Sequence, residues 1–122
     1  MTHLLGVDAG CRDAAAAEHL LHELEQVLGG APPLVSTHVV HAGGAHVAVA
    51  VSWGPRYAGL AGFEGDPQKL ADRVVATIDG AAAVLTVGET SYVGGSATLL
   101  EGALEAVGRH RERSEGRLVR LP

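Results

Sequence analysis

Cysteine is almost missing from this chain of 122 residues: Cys11 stands alone. One cysteine makes no internal disulfide and no cysteine-based zinc finger. Aromatic residues are nearly as scarce, at 3%, and comprise Trp53, Tyr57, Phe63 and Tyr92. Positive charge is short as well, with Lys and Arg totalling 9 against 14 Asp and Glu, for a net charge of −5. That balance lacks the electrostatic footprint of a duplex-DNA-binding domain. The one basic cluster, from Arg109 to Arg120, is interleaved with Glu112 and Glu115. No apolar run is long enough to span a bilayer. The start, Met1-Thr2-His3-Leu4-Leu5, has no charged n-region and meets Asp8 too early for a signal peptide. The expectation is a soluble, cytoplasmic protein with neither a nucleic-acid nor a membrane partner. Its alanine-rich, arginine-over-lysine usage suggests a bacterial genome of high GC content.

What is present is small and aliphatic. The apolar fraction is 47%, and there are 17 glycines. Such a chain can bury a core, and its length suits one domain over 1–122. Pro32-Pro33 and the glycine-rich stretch 54–65 read as loops, because neither side of them buries a core alone. Residues 4–7 read as a buried strand. A helix follows, with Ala17, Leu20, Leu21, Leu24, Val27 and Leu28 on one stripe, Asp13 at its start and Gly29-Gly30 at its end. Residues 34–42 and 45–53 read as a hairpin turning at Gly43-Gly44, with His41 opposite His46 and His38 opposite Val49. Asp66-Pro67 opens a second helix carrying Leu70, Ala71, Val74, Val75 and Ile78 inward. The run 81–87 is a strand covered on both faces, and 88–95 reads as a loop. Ser96 caps a third helix with Leu99, Leu100, Ala103, Leu104 and Val107 inward. Residues 109–122 make its basic end and a short last strand from 117.

The order β-α-β-β-α-β-α-β predicts an α+β or α/β fold: one mixed sheet, three helices and a ferredoxin-like βαββαβ core. A three-layer α/β sandwich is the alternative. Strand–helix–strand units return in parallel and hairpins reverse, so the first two strands run one way and the rest the other. Two sheet edges then carry the candidate chemistry.

The first edge gathers the aromatics. Trp53, Arg56, Tyr57, Ser91, Tyr92 and the helix start Gly94-Gly95-Ser96 are the candidate ligand-binding residues. Backbone N–H groups at a helix start favour an anion, and Arg56 adds a charge-assisted bond. The same residues suit a packed cap or an oligomer interface equally well. Glu89, beside Ser91 and Tyr92, is the candidate general acid or base. The second edge gathers Cys11, His41 and His46. Two histidines facing each other across a hairpin suit a divalent metal, with Asp8 or Cys11 as third ligand, or a base for a Cys11 nucleophile. A buried small cysteine with surface histidines is the plainer reading of the same residues.

Leu4-Leu5-Gly6-Val7-Asp8-Ala9-Gly10-Cys11-Arg12-Asp13 resembles, over this stretch alone, the first strand and loop of the small class II tetrapyrrole chelatases, an apolar strand followed by His-Gly-Ser-Arg-Asp. Asp8 or Ala9 stands where that family has its metal-handling histidine. The Gly43-Gly44 hairpin departs from the family's alternating parallel pattern. No family is assigned on it. The functional expectation is a non-catalytic homo-oligomeric module that binds a small anionic ligand, or assembles, through the aromatic edge. The alternative is a small enzyme using a His41/His46 metal site or Cys11.

Overall fold

The computed structural model describes residues 3–54, 57 and 66–120, leaving aside the side chains of 114–120. The elements are β1 (His3–Cys11), α1 (Ala14–Leu28), β2 (Leu34–Val40), β3 (His46–Trp53), α2 (Pro67–Thr77), β4 (Ala82–Val87), β5 (Thr90–Gly95) and α3 (Ala97–Arg120). Local chemistry sets most of these boundaries. The Asp13 carboxylate accepts from the Ala16 amide and caps α1, which ends at Gly29 in the left-handed region, φ 80°. Asp66 caps α2 in the same way, with Pro67 in the first turn.

One five-stranded sheet has the order β2-β3-β1-β4-β5. Its first four strands with α1 and α2 form the expected ferredoxin-like βαββαβ core. β1 and β2 run one way and β3 and β4 the other, as the connections require. The two sets interleave, so every neighbouring pair is antiparallel and the sheet is not mixed. Two other expectations are corrected. Residues 90–95 form β5, closing on β4 through the turn at Gly88 (φ 64°) and Glu89. The expected strand from 117 is instead the last turn of α3, which continues to Arg120.

Helices cover both faces. Leu20, Leu24 and Leu28 of α1 and Leu70 and Val74 of α2 pack on Leu5, Val7, Val49, Val51, Ala83 and Leu85. α3 covers the opposite, small-residue face: Ala103 and Val107 meet Leu4 and Val84, and Ala106 meets Val40, Ala48 and Ala50. The small-residue face of the sheet is therefore taken by α3. Contact is close because glycine allows it; a Cβ on Gly6 would overlap the Ala103 carbonyl. The inward stripe is Gly102, Ala103, Ala106, Val107 and His110. Leu104, expected inward, is half exposed. No helix among the described residues is long and apolar enough to cross a membrane.

Candidate functional site

The hairpin register differs by one residue from the two-residue Gly43-Gly44 turn. Val40 pairs with His46 and His38 with Ala48, leaving 41–45 as the loop. Gly43 and Gly44 both have positive φ, 73° and 106°, which glycine adopts without strain. A slip of one residue turns every β2 side chain to the other face relative to β3. His38 and Val40 thus share the α3 side with His46, Ala48 and Ala50. His41 falls outside the strand, is exposed, and donates its amide to the Glu105 carboxylate. The facing His41/His46 pair does not form. Among the described residues no group of three or more His, Cys, Asp or Glu is placed to hold a metal.

His46 meets Asp8 instead. β1 bulges between Val7 and Cys11, and the Gly10 amide (φ 70°) donates to Asp8 Oδ1 at 2.9 Å. Bulges re-aim side chains, and this one accompanies a carboxylate lying under α3. Asp8 is 0% exposed, and its Oδ2 lies 2.5 Å from His46 Nε2. The other ring nitrogen, Nδ1, is 2.7 Å from the Gly44 carbonyl. A carbonyl only accepts, so Nδ1 carries a proton. The Asp8–His46 contact then holds one further proton, as imidazolium with carboxylate or as imidazole with carboxylic acid. The hydrogen bond to Asp8 raises the His46 pKa against the opposing effect of burial. A Cβ on Gly102 would overlap the Asp8 carboxylate, so the pair fits only beneath a glycine.

His46 also forms part of the wall of a cleft of about 300 Å³, with Gly10, Arg12, Gly43, Gly44 and Thr98. Because β5 is a strand, it carries Gly94, Gly95 and Ser96 to this end of the sheet, away from the aromatic edge. The start of α3 joins Arg12 and His46 there.

The aromatic edge is packed. Trp53 is buried and stacks on His3 at 5.4 Å, with Tyr57 tilted against it at 5.7 Å. The Tyr57 hydroxyl donates to the Gly30 carbonyl at 2.5 Å, and burial raises its pKa. Tyr92 lies within β5 opposite Leu85 and packs on the main core. The Ser91 hydroxyl pairs with that of Thr86 at 3.1 Å. Glu89 is at an exposed hairpin tip. Arg56 and Phe63 lie outside the described residues. Cys11 ends β1, two residues before the α1 cap Asp13, and it is buried. Its pKa is raised by burial, then by Asp8 and Asp13, which opposes thiolate formation.

A second polar cluster, which sequence reading missed, joins β2 and β3 to α3. Ser36 Oγ lies 2.7 Å from His38 Nε2 and 2.5 Å from His110 Nδ1, and His110 Nε2 lies 2.8 Å from Ser52 Oγ. Burial lowers both histidine pKa values, that of His38 to about 4. His110 had read as part of a basic helix end; its spacing from Ala103, Ala106 and Val107 was the available signal.

The chain matches no protein-family model, no curated protein and no solved structure.

Proposed function

We propose that the protein is a small binding module whose ligand is a small anion, a carboxylate or a phosphate, taken into the cleft beside Asp8 and His46. The observation that carries this reading is the orientation of that pair: the carboxylate is wholly buried and the imidazole is at the cleft wall. The pair is neutral as a whole, both imidazole nitrogens are held by Asp8 and the Gly44 carbonyl, and the ring rather than the carboxylate lines the cleft. The Arg12 guanidinium, the Thr98 hydroxyl and the first turn of α3 supply the donors. The site differs from the aromatic pocket expected from sequence, and the ligand class is the same. The test is titration with inorganic phosphate and with succinate, followed by amide NMR. Saturable shifts are expected at Gly43, Gly44 and Thr98, with binding weakened about tenfold by Arg12→Ala and by His46→Gln. No saturable shift with either anion, or binding indifferent to both substitutions, overturns the reading.

One observation favours a second, enzymatic reading: an imidazole at the cleft wall is paired at 2.5 Å with a buried carboxylate, the arrangement that orients and tunes a histidine for acid–base chemistry. It predicts turnover that is lost in Asp8→Asn with binding retained. We further propose a cytoplasmic, bacterial protein, supported by the single cysteine and the alanine-rich, arginine-over-lysine composition.

A further inference from the structure

β2 closes one side of the sheet and pairs with β3 on its inner side. Its sequence, Leu-Val-Ser-Thr-His-Val-Val, contains no Lys, Arg, Asp, Glu or Pro. Those are the residues that ordinarily keep an edge strand from pairing with another chain. Of the five large hydrophobic side chains most exposed among the described residues, three lie on this strand: Leu34, Val35 and Val39, at 40%, 47% and 52%. α1 packs toward β1 and β3, and α2 toward β4 and β5. The row Val35, Thr37, Val39 is therefore left exposed on their side of the sheet.

We infer that this edge is a homodimer interface, in which the β2 strands of two copies pair antiparallel about a two-fold axis through Thr37. The strand is self-complementary about that residue. Val35 faces the partner's Val39, Thr37 faces the partner's Thr37, and Val39 faces the partner's Val35. Cross-strand pairs of β-branched residues are the stabilising unit of a sheet. An isologous contact of this kind closes after two copies and does not propagate. The two sheets become continuous, with both α3 helices on the same side. Arg109 braces the end of the strand by donating to the Val39 carbonyl at 2.6 Å, and a partner strand competes for that carbonyl.

The test is sedimentation equilibrium of the whole chain over a wide concentration range. A dimer is expected, and Val35→Lys with Val39→Lys should weaken it about tenfold or more, since like charges then oppose each other across the two-fold. Both positions are half exposed, so the variant keeps its fold, which circular dichroism checks. Val93→Lys, on the opposite edge strand β5 and 46% exposed, should leave the dimer intact. Amide exchange at Val35, Thr37 and Val39 should slow as concentration rises. A monomer throughout, a dimer indifferent to the lysines, or a dimer lost in Val93→Lys overturns the inference.

Discussion

A buried carboxylate without a counter-charge is among the costliest groups a core can hold. Asp8 avoids this through two contacts, the Gly10 amide and the His46 ring. Replacing His46 with Ala removes one of them, and urea unfolding should show a loss of about 3 kcal/mol; a loss below about 1 kcal/mol would mean that water replaces the imidazole. The histidines also give pH dependence of two signs. The folded pKa of His46 is raised above its ordinary 6.5, so its contribution is complete below 6.5 and fades as pH rises through the folded value. That of His38 is lowered from 6.5 to about 4, so its contribution is present above 6.5 and is lost as pH falls toward 4. Relative to the parent chain, His46→Gln should flatten the decline on the alkaline side, and His38→Gln the decline on the acid side. Unaltered slopes in unfolding free energy against pH would contradict these assignments.

At the scale of elements, α3 is defined by what it lies against. Taken alone, glycine-to-alanine changes in a helix stabilise it by about 1 kcal/mol. Gly108 faces open space, so Gly108→Ala should raise stability by up to that amount. Gly102 sits on Asp8, so Gly102→Ala should lower stability by about 1–3 kcal/mol, because the helix or the carboxylate must shift. The two substitutions are chemically identical and lie within one helix. Equal effects on thermal unfolding would show that α3 does not press on the sheet as described. The same packing explains why Leu104 faces outward. The sheet surface beneath α3 includes Gly6, Ala48 and Ala50 beside Leu4, Val40 and Val84, and the helix approaches it through Gly102, Ala103, Ala106 and Val107.

At the scale of the molecule, α3 turns a two-layer ferredoxin-like core into three layers. A chain ending at residue 96 would expose Leu4, Val84, Ala48 and Ala50 and leave His38 without the α3 groups that cover it. Such a chain should bind a hydrophobic dye and unfold without cooperativity. A cooperative transition would make α3 an appended helix rather than a structural layer. The layering also bears on assembly: helices cover both faces except over one side of β2, whose exposed Val35, Thr37 and Val39 remain for a second copy.

The sequence by itself determined the helices α1 and α2 with their caps, the single sheet and the directions of its first four strands. These follow from local signals: a 3.6-residue stripe, an aspartate before a helix, a glycine after it, and the handed return of βαβ units. It also brought Asp8, Cys11 and His46 to one edge. The tertiary structure decided the rest. The one-residue hairpin slip rested on a five-residue loop that two adjacent glycines disguise, and it sent His41 outward while seating His38 beneath α3. Tertiary pairing with β4 made a strand of 90–95, a stretch whose glycines and serine read as a loop, and so carried the start of α3 to the Asp8–His46 cleft. His110 became a buried group bonded to Ser36 and Ser52, far from it in the chain, and burial lowers its pKa. Periodicity shows which residues face inward, but not which partners they meet there, and the site is made of those meetings.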